Sequence, residues 1–151
     1  MKRNWMAFCL VAALMTAGTV YAKPAPSQLV PEKHGQCYVE DNLFVKDVNG
    51  AGGGQGVLHG DFAFRREQAL KTDAIKEIGW MTLKPGSYIG SHTHKDNEDA
   101  YLIISGKGIF TDGNGHAWVV GAGDMTIARP GQTHGLANLG KEDLVFLDII
   151  A

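Results

Sequence analysis

Beyond its first 22 residues, the chain is a succession of short apolar and half-apolar stretches cut off by tight turns. Extended segments are predicted over residues 37–46, 57–64, 78–83, 88–94, 100–105, 109–111, 117–120, 125–128 and 144–150, where β-branched, aromatic and aliphatic side chains run for the length of a strand. The breaks carry turn chemistry. Lys84, Pro85 and Gly86 put a proline at the first central position of a turn, and glycines punctuate 105–108, 112–115 and 121–124. Residues 65–76 hold enough Glu, Gln, Ala, Leu and Lys for a short helical turn or a loop. The gaps between strands are too short for crossover helices, which disfavours a parallel α/β sheet. The fold class is therefore all-β, a single antiparallel barrel or sandwich with little helix, and no internal repeat or heptad pattern competes with it.

Composition narrows this further. With 151 residues, 44% of them hydrophobic and 20% charged, the chain suits one compact domain plus a short extra segment. That segment is N-terminal. Lys2 and Arg3 precede a mostly apolar run over 5–20, and Val20 and Ala22 are small residues at the two positions a signal peptidase reads. The run falls short of the roughly 20 residues a bilayer span requires. Residues 1–22 are expected to be a secretory signal cleaved after Ala22, residues 23–36 a proline-containing lead, and residues 37–151 the folded domain, with a periplasmic or secreted address and no remaining membrane anchor. Cleavage would leave 12 basic against 16 acidic residues, which disfavours nucleic acid and anionic membranes as partners. Cys37 would be the only thiol left, unable to form an internal disulfide, and either buried, the favoured placement, or an intermolecular link.

The glycine-rich stretch 49–56 invites a phosphate-loop reading. No Gly-Lys-Ser/Thr follows it and no helical pattern succeeds it, so a turn or a close-packed strand edge accounts for it better.

The candidate chemistry sits in the second half. His92 and His94 alternate with Thr93, so in a strand both imidazoles leave the same face and can converge on one ion. Glu98 and Asp99 follow closely, and His134 is the third imidazole. Three imidazoles and a carboxylate suit Mn, Fe, Ni, Zn, Cu or Co as one divalent ion. If residues 100–105 form a regular strand, Asp99, Tyr101 and Ile103 share one face and Glu98 the other, so only one of the two acids can face the metal. By the same parity Tyr88 lies with His92 and His94, and Leu136 and Asn138 lie with His134. His34, His59 and His116 lack such company and read as structural or solvated.

These residues resemble the paired motifs of the cupin superfamily. Gly86, His92, His94, Asp99 and Gly106 stand at the intervals of the first motif, and Gly123, Gly131, His134 and Asn138 at those of the second. The resemblance runs from about residue 57 to 150 and implies a cupin-type barrel or jelly roll, a metal held by His92, His94, Asp99 and His134, and pairing into a homodimer. Two positions depart from the pattern. Arg129 stands where proline is expected, with Pro130 beside it, and Asp99 replaces the usual Glu, which leaves Glu98 as an alternative ligand through a local bulge. The range of family reactions implies a small oxygenated substrate, such as a sugar acid or dicarboxylate, and isomerisation, decarboxylation or oxygenation, or else a metal-containing protein that only binds a small acid or carbohydrate. For proton transfer the candidates are Tyr88, Tyr101 and Glu98, each of the tyrosines equally explicable as core. For substrate contact they are Arg129, which a surface ion pair explains as well, and Asn138.

Overall fold

The computed structural model describes residues 37–151. The expected signal, the proline-containing lead and His34 lie outside them. Ten strands follow one another: β1 (Phe44–Asn49), β2 (Val57–Phe64), β3 (Glu77–Leu83), β4 (Tyr88–Thr93), β5 (Asp99–Ser105), β6 (Lys107–Asp112), β7 (Ala117–Gly121), β8 (Met125–Ala128), β9 (Thr133–Ala137) and β10 (Leu144–Ile150). They form a six-stranded sheet in the order β1-β2-β3-β10-β5-β8 and a four-stranded sheet in the order β4-β9-β6-β7, and every pairing is antiparallel. The described residues contain no α-helix, only two 3-10 turns, Glu40–Asn42 and Ala51–Gly53. The all-β jelly-roll expectation holds.

Strict two-residue alternation builds the middle of the larger sheet. In β10 every second residue from Leu144 to Ile150 is buried, and β3 follows the same rhythm. Leu83, Ile103, Leu144 and Phe146 are at most 1% exposed, and they meet Ile89, Phe110, Val120 and Leu136 of the smaller sheet in one core between the two sheets. The parity that buries Tyr101 and Ile103 carries Asp99 inward with them, and the parity of Phe146 does the same for Asp148. Carboxylates are thereby forced into the interior, where they cost free energy unless something compensates them. The turn from β5 to β6 requires a glycine. Gly106 has φ 81°, and a side chain there would run into the Asp143 carbonyl.

Three details differ from the sequence reading. Residues 37–46 are not one extended segment, because the Glu40–Asn42 turn, closed by Asn42 N–H to Val39 O at 2.8 Å, delays β1 to Phe44. β9 emerges where no strand was expected: its Thr-His-Gly-Leu-Ala lacks β-branched runs, and pairing with both β4 and β6 overrides that weak propensity. Cys37 is exposed, not buried. Residues 65–76 resolve the helix-or-loop alternative as consecutive turns, tied by Gln68 N–H to Arg65 O at 2.8 Å and Leu70 N–H to the Asp73 carboxylate at 2.7 Å.

Candidate metal centre

Cross-strand register brings the histidines together. His92 of β4 stands directly opposite His134 of β9, and the register slips between Ile89 and His92. That slip breaks the parity that would have set Tyr88 beside the histidines. Ile89 goes into the core, while Tyr88 is 39% exposed. His94 lies just past β4, tethered by its N–H to Gln132 O at 3.0 Å. Asp99 opens β5 and completes the group from the other sheet.

The glycine-rich stretch turns out to hold this edge in place. Ala51–Gly53 and Gln55 pack flush on β4, Gln55 and Tyr88 exchanging backbone hydrogen bonds at 3.1 and 2.9 Å. A Cβ on Gly52 would lie 2.7 Å from Gly90 O and 3.0 Å from His92 Nδ1. Of the turn and the close-packed strand edge that the sequence left open, the structure shows a turn packed on a strand edge, and it abuts a histidine of the cluster.

The four ligand atoms lie within 4.8 Å of one another. Nε2 of His94 is 3.1 Å from that of His92 and 3.0 Å from that of His134, and the remaining pair is 3.2 Å apart. Asp99 Oδ2 is 3.2 Å from His94 Nε2 and 3.3 Å from His134 Nε2. Neighbouring donors around an ion with bonds near 2.1 Å at right angles stand about 3.0 Å apart, so the spacing fits one transition-metal ion. The tautomers agree. His92 donates Nδ1–H to Gly90 O at 2.9 Å and His94 donates Nδ1–H to Asn97 Oδ1 at 3.0 Å, which turns the lone pair of each Nε2 toward the centre. Converging lone pairs and a carboxylate repel one another unless a cation lies among them.

Electrostatics support the same reading. Burial lowers the His92 imidazole below its usual value, keeping it neutral and able to ligate. Burial alone would raise the Asp99 carboxyl, but contact with His134 and then with Asp148 outweighs it and holds Asp99 below the ordinary carboxylate range. Asp148 goes the other way: desolvation, then repulsion from Asp99, pushes it well above that range. Two buried acids in one pocket are thereby driven in opposite directions, Asp99 toward the anion and Asp148 toward the neutral acid. Tyr101 is buried and stacks on His134 with ring centroids 5.1 Å apart at 23°, and desolvation followed by the Asp99 charge pushes its phenol well above 10. Phe110 meets His134 edge-on at 5.8 Å, so the His134 ring is fixed by aromatic neighbours.

The other candidates lie elsewhere. Glu98 is at the surface, with Arg129 Nε 3.7 Å from its carboxylate. Both side chains are roughly half exposed, so Arg129 forms a surface ion pair and neither group reaches the cluster. Asn138 is fully buried and spends its amide on the fold, donating to Leu83 O and Glu142 O at 2.8 Å each while accepting from Gly140 N at 2.9 Å. No donor is left for a substrate. Leu136 is core. His59 pairs with Asp47 at 2.7 Å and His116 with Asp112 at 3.1 Å, both exposed. Asp148 was overlooked, although its in-phase position with Phe146 in a core strand was the available signal.

Fold and site together define a double-sheet β protein with a largely buried three-histidine, one-aspartate cluster fit for a metal. Residues 79–150 match the family model described as a cupin domain, which supports a small cupin-superfamily domain in this part of the chain. It is 40% identical over 70 residues to an oxalate-binding protein of Thermotoga maritima, a match covering 46% of this chain and 57% of that one. It is 28% identical over 83 residues to a gentisate 1,2-dioxygenase of a Ralstonia species, covering 55% of this chain and 23% of that one. The chain thus spans little more than half of the first curated relative and about a quarter of the second. Among solved structures, a predicted oxalate decarboxylase of Thermotoga maritima superimposes with a TM-score of 0.68 at 28% identity, over 76% of this chain and 97% of that one. An uncharacterised double-stranded β-helix protein of Klebsiella pneumoniae gives 0.57 at 29% identity, over 78% and 90%.

Proposed function

We propose that this protein holds one divalent transition-metal ion through His92, His94, Asp99 and His134 and captures a small oxygenated acid on it. The convergence of three imidazole Nε2 atoms to 3.0–3.2 Å carries the reading. The relative named as an oxalate-binding protein supports a small carboxylic acid as the ligand. A bound ion would act as a Lewis acid toward carboxylate or carbonyl oxygens. Within the chain, Asp99 supplies the compensating negative charge, burial beside it favours the protonated form of Asp148, and Tyr101 and Phe110 hold the His134 ring in place.

Binding without turnover is favoured by where the proton-transfer candidates lie: Tyr88 faces out, Glu98 is at the surface, and the Tyr101 phenol is buried and held protonated. Conversion by isomerisation, decarboxylation or oxygenation is the second reading, supported by resemblance to a predicted decarboxylase and to a dioxygenase. The apolar run over 5–20 supports export to the periplasm or medium. The test is metal analysis of protein purified without chelators, followed by incubation with oxalate and other small acids under air and under nitrogen. About one equivalent of metal, with thermal stabilisation by an acid and no product, is the expected result; product formation selects the second reading, and metal content unaffected by His92→Ala and His134→Ala overturns both.

A further inference from the structure

Beside the histidine cluster lies a cavity of about 440 Å³, between the β6–β7 hairpin and the loop from β8 to β9, with His134 in its wall. This is the scale of pockets for ring-sized organic ligands, far more than a two-carbon diacid fills. Its apolar side is Phe110, Trp118 and Ile127, and the Phe110 ring bridges His134 at 5.8 Å and Trp118 at 6.2 Å. Trp118 is 49% exposed, so much of its ring is available to a ligand. The same apolar surface continues outward to Val119 and Met125.

Charge gives the cavity its selectivity. None of the described residues lining it is lysine or arginine, and its one acid is Asp112. That carboxylate closes the hairpin: Oδ1 accepts the Asn114 and His116 backbone N–H groups at 2.9 Å each, and Oδ2 faces His116 Nδ1 at 3.1 Å. A carboxylate placed there by a ligand would meet an anion with no lining cation to offset it. An uncharged planar group would meet Trp118 and Phe110 instead.

We infer that the acid captured at the metal is a chelating monoacid with an uncharged, ring-sized body, and that the body lies in this cavity against Trp118. This rests on the small-acid reading above and replaces a compact dicarboxylate with an aryl hydroxy acid or a similar molecule. Trp118 is then a specificity-determining residue, since it touches the part of the ligand remote from the metal.

Calorimetric titration of the full chain carrying one equivalent of Co²⁺ tests it, with oxalate, 2-hydroxybenzoate and 4-hydroxybenzene-1,3-dicarboxylate as probes, each able to chelate through two oxygens. The expected result is 2-hydroxybenzoate binding at least about tenfold tighter than oxalate, with the added ring carboxylate weakening it. Trp118→Ala should weaken 2-hydroxybenzoate about tenfold and leave oxalate within about twofold, and Trp118→Phe, which keeps a ring, should retain most of the affinity. Oxalate binding tighter than 2-hydroxybenzoate, or Trp118→Ala weakening neither or both equally, overturns the inference while the small-acid site stands. No binding of any probe to protein that retains its Co²⁺ removes the small-acid reading and the inference with it.

Discussion

The middle of the six-stranded sheet and the β4–β9 pair are built from the same kind of strand and come out differently. Across β3 and β10 the alternation is unbroken over seven cross-strand pairs, and Leu83, Leu144 and Phe146 point into the core. Across β4 and β9 the register slips, glycines cover the strand, and imidazoles turn inward beside Ile89 and Leu136. Regular pleating packs apolar side chains. An interrupted ladder re-aims side chains, and here it turns His92 to meet His94 and His134. The imidazoles of the cluster thus concentrate on the interrupted pair and its flank, joined by Asp99 from β5, while the regular pair supplies core.

If that division is right, the largest effect on the bound ion comes from the irregular pair. His92→Ala should take metal content from about one equivalent to none, with the metal-free protein still giving a cooperative thermal transition. Asp99→Asn should weaken metal binding strongly and Glu98→Gln should leave it unchanged, since only Asp99 joins the cluster; equal losses in equilibrium dialysis would contradict the geometry. On the regular side, Phe146→Ala should cost about 3–5 kcal/mol in urea unfolding while metal stoichiometry under native conditions persists.

A finer cut uses two glycines of one turn. Gly52 and Gly53 have φ of 59° and 77°, so alanine is strained at either, but a Cβ on Gly52 presses on Gly90 O and His92 Nδ1 whereas one on Gly53 meets nothing within 4 Å. Gly52→Ala should lower metal affinity about tenfold relative to Gly53→Ala, at similar thermal stability. Comparable affinities for the two variants would mean the loop does not aim His92. The smallest effect concerns Glu77, whose carboxyl is raised above its ordinary 4.5, chiefly by burial, with Arg66 opposing. A raised folded value means the native state holds the proton more tightly, so Glu77 costs stability as pH rises through 4.5 toward the folded value. Glu77→Gln should therefore raise the melting temperature slightly at pH 7 and leave it unchanged below about pH 4, read by thermal scans across that range.

How much of this was legible beforehand varied with the residue. His92, His94, Asp99 and His134 were marked by spacing; the parity of β5 said only that one of Asp99 and Glu98 faces inward, and the interval to Gly106 favoured Asp99, the acid that lies with the histidines. Parity failed for Tyr88, because a bulge two residues further on cancels the count. Asn138 carried a binding residue's position but has both amide donors committed to backbone carbonyls, a fact about partners far away in the chain. Arg129 found Glu98 at the surface, and the strand that carries His134 had too little β propensity to be recognised.

Local pattern determined the class of fold, most strand positions, the shared face of His92 and His94 and the turns that need glycine, because strand alternation and turn geometry depend only on residues adjacent along the chain, while Asp99 and His134 were marked by the intervals that resemble the cupin motifs. Tertiary structure alone decided the register of β4 on β9, the seat of the glycine loop against His92, the burial of Asp148 beside Asp99 and the cavity along Trp118. Each of these depends on contacts between segments distant in sequence, whose relative placement is set by how the two sheets pack and not by any one segment's own preference.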